Sequence, residues 1–242
     1  MPAAMTGIVA FPREEFLTER WDYHPGEHVT FLAPTQAGKT TLAKQLLDGT
    51  VSKTLKAVIL VVKPRDGVVR QWGSDDRYKI IRSWPPVMER YRDTPGWILW
   101  PKHSYDPDID DPKFYEEFRR AILDSYRRGD RVIFADETYG LSELGLNREL
   151  ITVWSRGASS DGNTMGCGLW AATQKPSHIP LWAYSQAEHL FLAHDPDRRA
   201  RQRYAEIGGI DPAFVEHHVM RLGKHEFLYI QRTGPAACIV NS

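Results

Sequence analysis

Short apolar runs alternate with longer segments of mixed polarity along most of the chain, and this alternation is the clearest structural signal in the sequence. The apolar runs are rich in Val, Ile, Leu and aromatic residues, which is typical of strands buried on both faces of a parallel sheet. Predicted strands cover residues 28–32, 55–62, 97–100, 131–135, 168–173 and 188–193, and residues 78–81 add a candidate edge strand. Strands that alternate with helices predict an α/β fold with a mostly parallel central sheet and helices on both faces.

Capping residues predict where several helices begin and end. Asp111 and Pro112 occupy typical N-cap and first-turn positions, apolar residues then recur every four positions, and Gly129 ends the pattern. Two further helices are predicted to begin at Asp195-Pro196 and Asp211-Pro212 and to end at Gly208 and Gly223. Residues 226–232 and 237–240 predict a hairpin. The predicted organisation is an N-terminal extension (1–24), a core (25–195), and C-terminal helices with a hairpin packed on the core (196–242).

Composition narrows the class of protein. A length of 242 residues with 42% hydrophobic content suits one α/β domain, whereas two full domains would be cramped. Lys plus Arg and Asp plus Glu both number 31, so a nucleic acid would have to be bound by local basic patches. The two cysteines and nine histidines form no disulfide scaffold or metal-ligand spacing, which indicates a reducing compartment. The longest aliphatic run, residues 57–62, is too short to predict a membrane span, and the N-terminus does not predict a signal peptide. We therefore expect a cytoplasmic protein.

Residues 28–42 predict a strand, a phosphate-binding loop and a helix in direct succession. They match the pattern G-x-x-x-x-G-K-[ST] (Walker A), with Ala33 in place of the first glycine. Backbone N–H groups would surround the phosphates, Lys39 would contact the β/γ oxygens, and Thr40 would bind Mg²⁺. The predicted nucleotide-binding residues are Ala33, Pro34, Thr35, Gln36, Ala37, Gly38, Lys39, Thr40 and Thr41. A chance glycine turn is the alternative, but the flanking strand and helix favour a nucleoside-triphosphate site.

A second motif lies where the apolar run 131–135 ends in two carboxylates, Asp136 and Glu137. The run resembles a Walker B element. Asp136 would hold Mg²⁺ through water together with Thr40, and Glu137 would orient and polarise the attacking water from hydrogen-bond distance. The alternative, a strand end with two solvated acids, is less favoured because the phosphate loop is also present.

Two later segments complete a resemblance to a known family. Trp154-Ser-Arg156-Gly follows the acidic strand, and a further strand runs into Thr173-Gln174-Lys-Pro-Ser. Together with the first two motifs they resemble the FtsK/HerA superfamily of DNA-translocating P-loop ATPases, whose sensor strand ends in A-T-Q-[RK]-P-S. Lys63-Pro-Arg-Asp66 resembles the superfamily's D-P-K element, with its acid displaced. The short chain and these variants are most similar to viral genome-packaging ATPases.

This resemblance, which covers residues 25–195, implies a RecA-like (ASCE) fold, a homo-oligomeric ring of five or six subunits, and double-stranded DNA in its centre. It implies that Gln174 is the polar sensor of the γ-phosphate, for which an amide is suited because it contacts both phosphate and water. It also implies that Arg156 is the finger that acts on a neighbouring subunit's nucleotide. A strand-end Gln in a loop and a solvated Arg remain the respective alternatives.

Three functions are compatible with these motifs. The first is an ATPase that uses Mg²⁺ and ATP to translocate or package duplex DNA. If the protein is viral, a capsid or portal component would be a further partner and the host cytoplasm would be its location. The others are a P-loop kinase or phosphotransferase, and a non-motor ATP-dependent assembly switch. Glu137 next to Asp136 favours water as the nucleophile over a small-molecule acceptor. About seventy residues follow the sensor strand, too few for a separate nuclease domain, so translocation without cleavage is expected.

Overall fold

The computed structural model describes residues 8–87, 91, 93–160, 162–174, 187–207, 211–233 and 236–241. Its strands are β1 (Val9–Phe11), β2 (Val29–Leu32), β3 (Lys56–Leu60), β4 (Tyr78–Ile81), β5 (Gly96–Leu99), β6 (Arg131–Ala135), β7 (Cys167–Thr173), β8 (His189–Ala193), β9 (Phe227–Gln231) and β10 (Ala236–Val240). Its helices are α1 (Arg13–Glu15), which continues as a π-helical segment (Phe16–Arg20), α2 (Lys39–Thr50), α3 (Gly67–Trp72), α4 (Pro107–Arg128), α5 (Thr138–Glu143), α6 (Asn147–Arg156), α7 (Arg198–Ile207) and α8 (Pro212–Val219).

All strands of the described residues join one sheet in the order β1-β10-β9-β8-β2-β7-β6-β3-β5-β4. From β4 to β8 each neighbouring pair is parallel. The β9–β10 hairpin continues the sheet antiparallel to β8, and β1 lies parallel to β10 at the far edge. The predicted α/β class, the mostly parallel sheet, the edge strand at 78–81 and the terminal hairpin are therefore confirmed.

Both faces of the sheet are covered by helices, which explains why the strands are continuous apolar runs. Within β6, Val132 and Phe134 join the core under α2, while Ile133 and Ala135 join the core under α4 and α6. This alternation follows from the two-residue period of strand side chains. Every residue of β7 is buried, as expected for a strand near the middle of a covered sheet.

Two predicted helix starts were wrong. Helix α4 begins at Pro107, five residues before Pro112, because Asp106 accepts a hydrogen bond from the Asp108 N–H and so provides the N-cap. Pro112 then lies inside the second turn of the helix.

The second wrong start is Asp195-Pro196, which does not cap a helix. The Asp195 carboxylate instead accepts hydrogen bonds from the Asp197 N–H and the Tyr204 hydroxyl, and α7 starts only at Arg198. The start at Asp211-Pro212 is confirmed, because Asp211 accepts from the Ala213 N–H. Helix α8 ends at Val219, four residues before Gly223, and Gly208 lies outside the described residues.

A buried histidine makes the stability of this fold sensitive to acid. His28 Nδ1 accepts a hydrogen bond from the Leu169 N–H at 3.0 Å, and the ring stacks on Trp154. Burial lowers the pKa of His28 from 6.5 to about 4. Because the folded-state pKa lies below the unfolded value, the stabilisation is complete above pH 6.5 and is lost as the pH falls toward 4.

We therefore expect His28 to reduce the free energy of unfolding by about 2 kcal/mol between pH 7.5 and pH 5. His28→Asn keeps an acceptor near the Leu169 N–H but cannot take up the proton. Its free energy of unfolding should therefore fall by about 2 kcal/mol less than that of the parent on acidification. Urea unfolding at both pH values measures the difference. The exposed His24, changed in the same way, is the control. Equal losses in the parent and in His28→Asn would contradict the assignment.

Candidate nucleotide-binding site

The phosphate loop connects β2 to α2 at the carboxyl edge of the sheet. Gly38, the N-cap residue of α2, has φ +95°, a left-handed conformation that favours glycine, and Gln36 is also left-handed at +63°. These two residues turn the loop back over the first turn of α2, where the backbone N–H groups have no partner within the helix. The geometry is that of an anion site, in which those N–H groups and the helix dipole attract phosphate.

Lys39 is the first residue of α2, and its side chain is nearly fully buried. Its Nζ donates to the Ala33 carbonyl at 2.6 Å and to the Pro34 carbonyl at 3.0 Å. Burial lowers the pKa of Lys39 to about 8, although Glu137 and Asp136 nearby oppose this shift. The ammonium therefore lies within the loop, close to both acidic residues.

Asp136 follows β6 and is buried between the phosphate loop and β3. Its Oδ1 accepts a hydrogen bond from the Thr40 hydroxyl at 2.7 Å, and its Oδ2 accepts one from Lys63 Nζ at 3.2 Å. The two residues predicted to serve Mg²⁺ are thus in direct contact. A hydroxyl and a carboxylate are hard oxygen donors of the kind Mg²⁺ prefers, and this ion takes few protein ligands.

Glu137 is linked to the phosphate loop through Gln174. The Gln174 Nε2 donates to Glu137 Oε2 at 3.0 Å, and the Thr35 hydroxyl donates to Gln174 Oε1 at 2.7 Å. Burial raises the pKa of Glu137, an effect that Lys63 and Lys39 partly offset. These residues meet because β6, β7 and β2 are parallel neighbours, so their carboxyl ends lie at one edge of the sheet.

Lys63 has a closer relation to the acidic motif than its sequence position indicates. Its Nζ lies 3.2 Å from Asp136 and 3.8 Å from Asp66, and its carbonyl accepts a hydrogen bond from Trp100 Nε1. Burial would lower the pKa of Lys63, but Asp136 outweighs this effect and raises it, so the ammonium is charged. In the sequence this lysine only follows the strand β3 by three residues, and the pairing of β3 with β6 that brings it to Asp136 is seen in the structure.

Arg156 lies away from the other predicted catalytic residues. It is the exposed last residue of α6, and it lines a surface groove with Gly129, which precedes β6, and Cys167, which starts β7. Gln174 follows the opposite end of β7, about 20 Å away along the strand. Arg156 therefore lies at the amino edge of the sheet and cannot reach the phosphate loop of its own chain.

Other candidate ligand residues have structural partners. Trp21 and Tyr23, two aromatic residues that precede β2, pack against Trp170 and His189 near the amino edge of the sheet and do not reach the phosphate loop. Several arginines of α4 pair with acids on α4 and α6: Arg119 with Glu149, Arg120 with Glu117, and Arg128 with Asp124. The positive charges of these three arginines are therefore partly offset by the paired carboxylates.

The sheet order, the loop and the acidic strand end define a RecA-like P-loop NTPase fold. Solved structures share this fold. One is B204 in complex with AMPPCP, described as a genome packaging NTPase of Sulfolobus turreted icosahedral virus 2. It has a TM-score of 0.58 and 15% identity, and the match covers 90% of this chain and 99% of that chain. VirB4 of Thermoanaerobacter pseudethanolicus has a TM-score of 0.60 and 10% identity, with 89% of each chain covered. No protein-family model and no curated protein matches the sequence.

In the described part of the chain, no helix has the length and apolar character needed to cross a membrane.

Proposed function

We propose that the protein is a motor that hydrolyses Mg-ATP and translocates or packages double-stranded DNA as a homo-oligomeric ring of five or six subunits. The observation that carries the proposal is the chain of hydrogen bonds from Thr35 through Gln174 to Glu137. It joins a phosphate loop to the half-buried Glu137 carboxylate beside the Asp136–Thr40 pair. The fold shared with B204, described as a genome packaging NTPase and a DNA-packaging ATPase, supports the assignment to a DNA motor.

Nucleotide binding would use the backbone of the phosphate loop and the start of α2. Lys39 would exchange the Ala33 and Pro34 carbonyls for the β- and γ-phosphate oxygens, which are stronger acceptors because they are charged. Thr40 and Asp136 would hold Mg²⁺, the Thr40 hydroxyl directly and the carboxylate through water. The bound ion would offset negative charge on the β- and γ-phosphates.

Hydrolysis would begin when Glu137 orients a water molecule in line with the γ-phosphoryl group. The water oxygen forms a bond to phosphorus, the bond to the β-phosphate oxygen breaks, and the proton of the water passes to the Glu137 carboxylate. The raised pKa of Glu137 makes it a stronger base than a solvated carboxylate. Gln174 would contact both the γ-phosphate and the water, since an amide offers a donor and an acceptor.

A ring is proposed because Arg156, the arginine that the resemblance assigns as the finger, cannot reach the phosphate loop of its own chain. Arg156 at the opposite edge would complete the site of a neighbouring subunit. The same proposal includes translocation without DNA cleavage, a capsid or portal component as a further partner, and a cytoplasmic location.

Duplex DNA is expected to stimulate ATP hydrolysis by the assembled protein, and the stimulation should fall as the salt concentration rises because phosphate contacts release counterions. DNA sequence should have little effect, since contacts to the phosphate backbone carry no base information. The test is steady-state ATPase activity with and without duplex DNA of two unrelated sequences over a salt series, with the assembly state measured by mass.

Two outcomes would replace the motor proposal. Hydrolysis that is indifferent to DNA from low to moderate salt, in a protein confirmed to be assembled, would favour the assembly switch. Phosphoryl transfer from ATP to a small-molecule hydroxyl, with little hydrolysis, would favour the kinase. Lys39→Ala is the control in each assay, because activity that survives in a variant that has lost nucleotide binding would come from a contaminant.

A further inference from the structure

The direction in which a triphosphate would lie follows from the strand order. The carboxylates that follow β6 and the Gln174 that follows β7 are on one side of β2, and β8 is on its other side. The γ-phosphate must lie toward Glu137, where the water is activated. The α-phosphate and the nucleoside therefore leave the phosphate loop on the side of β8.

A groove lies on that side of the loop. It has a volume of about 340 Å³ and is lined on one wall by the loop residues 34–37, on the other by residues 222–225, and at its base by Ala193 and His194 after β8. Its lining mixes apolar groups with polar ones. Ligand sites of about 300–1,000 Å³ with mostly apolar walls and a few polar groups are typical for small molecules.

The outer wall of the groove is a turn held by hydrogen bonds. His225 has φ +67°, and its carbonyl accepts a hydrogen bond from Arg13 at 2.5 Å. The Glu226 carboxylate accepts from the Gly223 N–H at 2.6 Å, which closes the turn. A left-handed conformation is costly for a residue with a side chain, so these contacts are what maintain it.

The turn places the His225 ring against the phosphate loop. A Cβ atom built on Gly38 would lie 3.1 Å from His225 Nδ1, so the ring contacts the loop where α2 begins. His225 is half-buried, and Lys224 beside it is exposed. An imidazole in this position can stack on a base and contact a ribose hydroxyl, and Lys224 adds a positive charge near the phosphate that carries the nucleoside.

We propose that this groove binds the nucleoside half of ATP, with His225 as the contact residue for the nucleoside. The inference rests on the proposed ATPase function and adds the part of the ligand that the phosphate loop does not recognise. The phosphate loop binds the triphosphate, and the turn 222–225 distinguishes ATP from inorganic triphosphate.

The experiment compares two ligands, ATP and inorganic tripolyphosphate, by calorimetry with Mg²⁺ present. The parent should bind ATP more tightly than tripolyphosphate. His225→Ala should weaken ATP binding by about 10-fold, the loss expected for one stacked contact, and should leave tripolyphosphate binding unchanged. Lys39→Ala should weaken both ligands. His217→Ala, a half-buried histidine of α8 that does not line the groove, is the matched control.

The possible failures are distinct. If the parent binds neither ligand, the proposed function itself is wrong. If the parent binds both but His225→Ala changes neither, or weakens both equally, the groove does not hold the nucleoside; an equal loss would mean that His225 only supports the loop at Gly38. His225→Asn, which tolerates a left-handed backbone, repeats the test in case His225→Ala disturbs the turn.

Discussion

Glu137→Gln is expected to bind ATP nearly as well as the parent and to hydrolyse it about 10²–10⁴-fold more slowly, the contribution typical of a general base. The amide retains the size of the side chain and a partner for Gln174, which donates to Glu137 in the parent. It cannot accept the proton of the attacking water. Single-turnover hydrolysis and equilibrium binding of Mg-ATP, measured on one preparation, separate the two effects.

Lys39→Ala should give the opposite pattern, with binding lost first. Its ammonium lies within the loop and donates hydrogen bonds to two carbonyl oxygens of that loop, so its removal takes away a charge that phosphate would meet. Lys44→Ala, a lysine of the same helix that pairs with Asp48 away from the loop, is the control for a general effect on α2. Hydrolysis by Glu137→Gln at the parent rate would show that another group activates the water.

Arg156→Ala is expected to lower turnover by about 10³–10⁵-fold, the range for an arginine finger. Because Arg156 lies at the amino edge of the sheet and would act on a neighbouring subunit, its role can be tested by mixing two inactive variants in one ring. In a mixed ring, an Arg156→Ala subunit retains its own Glu137 and can receive the arginine of a Glu137→Gln neighbour, which rebuilds one complete site. Two inactive proteins should therefore recover measurable hydrolysis when mixed.

The mixing experiment needs two controls. Mass measurement must confirm that mixed rings form, and Arg148→Ala, which changes an arginine in the first turn of α6, tests whether any loss of charge on that helix has the same effect. If mixed rings are present and hydrolysis stays at the level of the separate variants, Arg156 does not act on a neighbour. A ring mechanism would then require a different arginine.

The sequence predicted the parts of the site that are written as contiguous motifs. The phosphate loop, Asp136 and Gln174 each follow a recognisable strand, and parallel strands bring their carboxyl ends to one edge. The contact between Lys63 and Asp136 could not be predicted, since it depends on β3 lying next to β6 and an alternating pattern does not specify strand order. The start of α4 was misplaced because two Asp-Pro pairs, at 106–107 and 111–112, compete as caps and the first one prevails.

No local pattern in the sequence predicted the outer wall of the groove either. Leu222 to His225 contain no motif, and their position depends on contacts with a distant part of the chain. His225 is held by Arg13, which is 212 residues away in sequence. Periodicity and capping describe neighbours within a few residues, so they carry no information about such a contact.

The pairing of β1 with β10 sets an order for the maturation of this protein. Val9 lies opposite Cys238, and Arg13 reaches His225, so the outer margin of the sheet closes only after residues 225–240 have been synthesised. Contacts of such large sequence separation form slowly because the intervening loop must first lose its conformational freedom. The central strands can assemble during translation, whereas the β8 side of the nucleotide site must wait for the C-terminal segment. Nascent chains should therefore acquire the phosphate loop before they can retain ATP.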